Sequence, residues 1–284
     1  MSNRKYQKMN KTVLITGTSS GFGASAANYF AEKGWNVIAT MRDTAKAAGL
    51  DNSGNIFVTK LDVEDATSIE EAIQAGIERF EKIDVLVNNA GYGLFGVFES
   101  VSREAIQNQF AVNVFGAMDV TRAILPHFRE NHSGIVINIS SGAGAIGFPM
   151  ASIYSSSKFA LEGWSEGLRY ELASLGIKVK VIEPGGAPKT GFLRRVGGES
   201  TGLQLINDYL PFLEQTGKMF GAMAETSDAD AVEKVVTAIY EAATDASDRL
   251  RYSPTEDIQL ILNARRNTSE EAYQEFTDGL FSQK

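Results

Sequence analysis

The stretch Lys11-Thr12-Val13-Leu14-Ile15-Thr16-Gly17-Thr18-Ser19-Ser20-Gly21-Phe22-Gly23 decides the architecture. An apolar run from Val13 to Ile15 stops at a glycine, and residues 22–33 are rich in alanine with apolar positions at helical spacing. The order is strand, tight turn, helix. In that context the turn fits a pyrophosphate: glycine permits close backbone approach, and free amides at a helix N-terminus meet negative charge. Gly17, Thr18, Ser19, Ser20, Gly21, Phe22 and Gly23 are therefore the first candidates for a dinucleotide site. The spacing is not that of a Walker loop, and no lysine follows Gly23 to reach a terminal phosphate.

Working outward, apolar runs predict strands over 35–40, 56–61, 85–88, 134–139, 177–182 and 249–252. Helical spacing predicts helices over 68–80, 105–129, 153–174, 229–243 and 255–266, and the last residues read as polar and frayed. Continuous rather than alternating apolar strands, separated by helices, imply an α/β fold: a doubly wound, seven-stranded parallel sheet with helices on both faces. Between about 186 and 226 glycines interrupt an apolar segment, which suits a lid over a binding cleft; helical padding on the surface is the competing reading. One catalytic domain over 1–284, with a polar extension at 1–10, is the expected organisation.

The chain has 284 residues, 43% of them hydrophobic, enough for a substantial core. Its net charge of -8, from 35 acidic against 27 basic side chains, argues against a nucleic-acid partner. Cysteine is absent, which excludes disulfide and thiolate chemistry and fits a reducing compartment. No apolar run reaches the roughly 18 residues of a membrane span and the N-terminus carries no apolar signal, so a cytoplasmic protein is expected. His127 and His132, without cysteines nearby, read as solvated, and no metal is expected.

After the second strand comes Thr40-Met41-Arg42, where an NAD site usually presents a carboxylate. Arg42 can pair with a 2'-phosphate, which favours NADP(H); NAD(H) stays open because Asp43 reaches the ribose if the strand ends one residue later. Asp62 and Val63 are placed to meet the adenine, and Asn88-Asn89-Ala90-Gly91 to bring backbone near the ribose.

Tyr154 and Lys158 stand four apart, hence on one helix face, with Ser141 thirteen residues before the tyrosine. Lys158 beside Tyr154 is expected to lower the phenol pKa, and Ser141 to bind a carbonyl oxygen; Ser140 is its neighbouring rival, and only one of the two should face the substrate. Pocket walls are expected from Tyr92, Gly93, Leu94 and Phe95, from Phe148 and Met150, and from Phe192 and Leu193, which suggests a hydrophobic ketone or aldehyde; Arg194 and Arg195 leave an anionic group open.

The set TGTSSGFG at 16–23, NNAG at 88–91, Asn113 within AVNVFG, the serine of NISSGAG, YSSSK at 154–158 and Pro184-Gly185 resembles the short-chain dehydrogenase/reductase family. VIATMRD at 37–43 and YSSSKFALEG at 154–163 resemble its branch of 17-beta-hydroxysteroid and retinol dehydrogenase-like enzymes and bacterial ketoreductases. The resemblance implies a Rossmann fold, a homodimer or homotetramer, and NADPH-dependent, reversible reduction of a ketone or aldehyde. Tyr154 is then the general acid, Lys158 also holds the nicotinamide ribose, and Asn113 holds a water for proton resupply. It further implies cofactor contacts from Pro184 and Gly185 and from a threonine five residues after that proline, whereas Thr190 stands six residues on. An NAD-linked dehydrogenase working in oxidation and a non-catalytic dinucleotide sensor are the alternatives.

Overall fold

The computed structural model describes residues 10–50, 54–186, 205–225 and 228–281. The chain opens with β1 (Thr12–Thr16), α1 (Gly21–Glu32), β2 (Asn36–Met41), β3 (Ile56–Lys60), α2 (Ala66–Phe80) and β4 (Val85–Asn88). α3 (Arg103–Phe110) and α4 (Ala117–Glu130) follow, then β5 (Gly134–Ile139), α5 (Ser152–Ala173) and β6 (Ile177–Ile182). α6 (Leu210–Glu225), α7 (Ala231–Thr244), β7 (Arg251–Tyr252), α8 (Glu256–Asn267) and α9 (Glu270–Phe281) complete it.

The strands form one sheet in the order β3-β2-β1-β4-β5-β6-β7, every pair parallel. β1 shows why its centre is a continuous apolar run: all five residues are buried, with Val13 and Ile15 packed on one face of the sheet and Leu14 on the other. The first face meets α1 and α7 through Phe30, Val235 and Ile239; the second meets α2, α4 and α5 through Ile69, Ile124, Phe128 and Leu168. Such double cover requires apolar side chains at both parities of a strand. The order reverses between β1 and β4, so the crevice beside their carboxyl ends is the expected ligand position.

Four expectations change. The segment at 105–129 is interrupted by a π-helical stretch, Ala111–Gly116, between α3 and α4. The excursion at 186–226 contains the regular helix α6, and the C-terminal residues form α9 rather than fraying, because Phe281 and Phe276 pack on Phe148 and its neighbours. β7 covers only Arg251–Tyr252 of the expected 249–252.

Candidate active site

A cavity of about 1640 Å³ opens where the carboxyl ends of β1 to β6 converge. At its floor the glycine turn is braced from below. Thr16 Oγ1 accepts from the backbone N–H groups of Asn89 and Ala90, both at 3.0 Å, and Asn89 Nδ2 donates to the carbonyls of Thr16 (2.8 Å) and Gly17 (3.1 Å). Gly17 has φ of +73°, and a Cβ there would stand 2.9 Å from Ala90 Cα, so no other residue fits. Gly17, Ser19, Ser20, Gly21 and Phe22 line the cavity. Thr18 and Gly23 stand behind it. Thr18 is buried with its N–H and hydroxyl both given to Thr40 O, and Gly23 leaves room for Asn89 Nδ2, which a Cβ would approach to 2.5 Å.

The N-cap residue of α1, Ser20, makes no side-chain cap, so the first amides of that helix are left for an anion. Together with the side-chain-free turn at Gly17, this fits a dinucleotide pyrophosphate. β2 ends at Met41, one residue later than expected, and Arg42 follows it on the cavity wall. Asp43 lines the cavity too, but its carboxylate caps the next turn, accepting from Ala45 N at 3.1 Å and facing Lys46 at 3.6 Å. Asp62, Val63, Asn89, Ala90 and Gly91 lie along the same wall. Asn88 is turned inward, its Nδ2 bonded to Thr121 Oγ1 and Asn138 Oδ1, both at 2.9 Å, as a brace between β4, α4 and β5. Pro184 and Gly185 line the opposite side, where Gly142 N donates to Pro184 O and Gly185 N to Thr255 Oγ1, each at 2.9 Å. Thr190, Phe192, Leu193, Arg194 and Arg195 fall outside the described residues.

Tyr154 and Lys158 project from the start of α5 into this cavity. Ser141, the residue that opens the turn after β5, hydrogen-bonds Tyr154 and takes the N–H of Ala143 at 3.2 Å. Ser140, buried at the strand end, lies against Gly144 and Glu162 instead, which separates the two serines as their alternation predicted. Burial pushes the Tyr154 phenol up to about 12, with Ser141 pulling the other way, and pulls the Lys158 ammonium down to about 8, with Glu162 opposing. The expectation that Lys158 lowers the phenol is therefore corrected. Its Nζ donates to Ile139 O at 2.8 Å and sits 5.8 Å from the tyrosine ring centre; desolvation outweighs the Ser141 hydrogen bond at the phenol and the Glu162 charge at the ammonium.

Asn113 lies in the π-helical stretch and does not line the cavity. Its amide clamps the backbone of Tyr92, accepting from Tyr92 N at 3.0 Å and donating to Tyr92 O at 2.9 Å, and also reaches Ser157 Oγ at 3.2 Å. The side chain is thus committed to holding the loop after β4. Gly93 and Leu94, expected as walls, are buried behind that loop, where Leu94 N donates to Gln109 Oε1 at 2.8 Å. Tyr92, Phe95, Phe148 and Met150 do face the cavity. Met150 adopts a φ of +59°, uncommon for a side-chain-bearing residue, with its carbonyl accepting from Gly96 N at 2.8 Å. The sequence reading missed Phe220 and Met223 of α6, Ile258 and Ile261 of α8, and Phe276 and Leu280 of α9. Phe95 lies between Tyr154 and Phe220, tilted against the first and edge-on to the second, with ring centres 5.7 and 6.1 Å away. His127 also departs from its solvated reading: its Nε2 accepts from Ile83 N at 3.0 Å, and burial lowers its pKa. Among the described residues no cluster suited to a metal occurs, and no helix is long and apolar enough to cross a membrane.

Comparison with known proteins agrees with this geometry. The family model for short chain dehydrogenases matches residues 11–198. An uncharacterized oxidoreductase of Schizosaccharomyces pombe is 38% identical over 238 residues, covering 82% of this chain and 95% of its own length. Human retinol dehydrogenase 8 is 40% identical over 184 residues, 62% of this chain and 58% of its own. Among solved structures, a short-chain dehydrogenase from Streptomyces avermitilis superposes with a TM-score of 0.75 at 32% identity, covering 95% of this chain and 93% of that one. A 3-ketoacyl-(acyl-carrier-protein) reductase from Brucella melitensis complexed with NADH gives 0.63 at 30% identity, over 66% and 81% of the two chains. ElxO with NADP bound gives 0.69 at 27%, over 87% and 98%. With the glycine turn, the Ser141, Tyr154 and Lys158 cluster and the seven-stranded sheet in place, the chain belongs to the short-chain dehydrogenase/reductase family of oxidoreductases.

Proposed function

We propose that the protein is an NADP(H)-dependent carbonyl reductase that converts a hydrophobic ketone or aldehyde to its alcohol. The observation that carries this reading is the continuity of one cavity from the glycine turn, past Ser141, Tyr154 and Lys158, to the apolar side chains of α6, α8 and α9. NADP(H), when bound, supplies the hydride from nicotinamide C4. The α1 amides take the pyrophosphate, Arg42 the 2'-phosphate, Asp62 and Val63 the adenine, and Asn89, Ala90 and Gly91 the neighbouring ribose. Pro184 and Gly185 border the nicotinamide end, with Thr190 as a further contact.

Ser141 orients the carbonyl oxygen, and Tyr154 donates the proton that the oxygen needs as charge develops on it. Burial raises the phenol, so Tyr154 carries its proton at neutral pH, as a general acid must. Lys158 supplies positive charge beside the phenol and bonds the nicotinamide ribose. Asn113 acts through structure: its side chain fixes Tyr92, and the π-helical register frees backbone groups of the kind that hold a relay water. Phe95, Phe148, Phe220, Met223, Phe276 and Leu280 favour an extended apolar substituent on the substrate. The charged Asp228, Lys234 and Glu256 on the rim pair with one another rather than facing a ligand charge. Arg42 on the cavity wall supports NADP(H), while the later end of β2 and the half-exposed carboxylate of Asp43, with Oδ1 on Ala45 N, keep NAD(H) as the second reading. Exposed Phe115 of the π-helical stretch, and Phe159 and Tyr170 of α5, support a homodimer or homotetramer built on these segments.

The test is the initial rate of NADPH and NADH oxidation against aliphatic and aromatic ketones, aldehydes, steroids and retinal. NADPH should be the better cofactor. Arg42→Ala should raise the NADPH KM by about tenfold or more, the scale of a lost charged contact, and leave the NADH KM nearly unchanged. An unchanged KM for both cofactors would leave Arg42 a surface charge and return the site to NAD(H).

A further inference from the structure

The C-terminal helices wall the substrate end of the cavity, and the first turn of α8 also grips the segment that follows β6. Gly185 N donates to Thr255 Oγ1 at 2.9 Å, and Gly186 N donates to Asp257 Oδ2 at 2.7 Å. Thr255 is the N-cap residue of α8, yet its side chain makes no cap for its own helix because the hydroxyl is turned to Gly185. Asp257 has a second oxygen. Oδ1 is closed off from water and has no hydrogen-bond partner among the described residues. The carboxylate packs on the open face of Gly185, where an added Cβ would overlap both of its oxygens. Asp257, Pro184, Gly185 and Gly186 line the cavity together.

Other carboxylates on the cavity wall are answered within the chain: Asp43 by Ala45 N and Lys46, Asp62 by Glu64 N, and Asp228 and Glu256 by Lys234. A carboxylate oxygen withheld from water and left unpaired is costly, and beside a ligand site it calls for a donor from the ligand. The chemistry of the site narrows that donor. Ile258 and Ile261, the next cavity-lining residues of α8, are apolar, and Ile258 fills the space beside Gly142. The substrate carbonyl oxygen is itself an acceptor and is met by Ser141 and Tyr154. A dinucleotide lying along the cavity brings its nicotinamide to Pro184 and Gly185, and the carboxamide on that ring carries N–H donors.

We propose that Asp257 binds the cofactor: Oδ2 holds Gly186 in place, and Oδ1 accepts from the carboxamide N–H of the nicotinamide. The proposal rests on the dinucleotide reading above and extends it, since it gives the C-terminal helices a part in recognising the cofactor as well as the substrate. It also explains the glycine at 185, where any side chain would push this carboxylate aside.

The experiment is calorimetric titration without substrate. Its probes are NADP+ and the 3-acetylpyridine analogue of NADP+, in which a methyl ketone replaces the carboxamide and no N–H remains, with the corresponding NAD+ pair alongside. The parent should bind the carboxamide form more tightly than the analogue by about tenfold or more, the scale of a hydrogen bond to a charged acceptor. Asp257→Asn keeps an oxygen for Gly186 N and sets an amide where Oδ1 stood. In that variant the ratio should fall to about twofold or less, through weaker binding of the carboxamide form and nearly unchanged binding of the analogue. Asp257→Ala should collapse the ratio as well, and serves should the asparagine variant fail to fold. Thr255→Val loosens the same loop without touching the carboxamide and should weaken both dinucleotides alike. A parent that does not discriminate the analogue, an Asp257→Asn protein that weakens both dinucleotides equally, or a Thr255→Val protein that loses the ratio overturns the proposal. The ratio is read without turnover and in either pair, so a parent that reduces no carbonyl or prefers NAD+ would reject the proposed function while still testing Asp257. A parent that binds neither pair overturns both.

Discussion

A lysine that is 7% exposed and held by one carbonyl is a poor choice for stability, and Lys158 carries the mark of that in its ammonium, drawn down from 10.5 to about 8. Between those values the unfolded chain binds a proton that the folded chain has released, so this group makes stability rise as pH increases from about 8 to 10.5. Below 8 the folded protein carries the full cost of a buried charge. Lys158→Met should therefore unfold at higher denaturant concentration than the parent at neutral pH, with a gain of up to about 3 kcal/mol, while losing turnover. A variant less stable than the parent at pH 7 would show that the ammonium is better solvated than its surroundings indicate. The spacing of Tyr154, Lys158 and Ser141 was legible in the sequence because helix geometry fixes which residues share a face. The direction of the phenol shift was not, because burial is set by distant residues such as Phe95 that spacing does not reveal.

Elements repeat this contrast. The sheet was readable because strands covered on both faces carry apolar residues at both parities, as in Val13-Leu14-Ile15 of β1. The π-helical stretch around Asn113 left no pattern in the sequence, since it arises where the loop after β4 docks against a helix. Helix α9 did carry a signal: Ser269-Glu270-Glu271 is a helix start, with Ser269 Oγ accepting from Ala272 N at 3.3 Å, and Tyr273, Phe276 and Leu280 follow at helical spacing. What the sequence does not say is that this stripe closes the substrate cavity beside Phe148. Leu280→Trp should narrow that end. Across a series of straight-chain methyl ketones, kcat/KM for the longer members should fall by about tenfold or more while the shortest change little, as expected when only the remote part of a substrate loses its site. A uniform loss along the series would mean that α9 supports the fold and not the substrate.

At the scale of the molecule, the edge of the sheet is fastened by charge. Lys180 of β6 is 1% exposed, pairs with Asp245 and bonds Tyr252 Oη at 2.9 Å, joining β7 and the end of α7 to the sheet. Removing one partner of a buried pair strands the other, so Lys180→Met should lower unfolding stability by about 3–5 kcal/mol, read from denaturant midpoints. The hydrogen bonds from Lys180, Tyr252 and Ser247 hold the Asp245 carboxyl well below its usual range despite opposing desolvation, so its contribution is present at neutral pH and is lost as pH falls through the ordinary aspartate range and below. The sheet so fastened carries one cavity that joins a dinucleotide turn to an apolar chamber through a single phenol. The direct test is NADPH oxidation with an apolar ketone or aldehyde, parent against Tyr154→Phe, alongside NADPH affinity. Carbonyl reduction through Tyr154 predicts turnover by the parent, a loss of about 100-fold or more in the variant, and an affinity within about twofold of the parent. Undiminished turnover by Tyr154→Phe, or tight NADPH binding by a parent that reduces no carbonyl, would contradict it.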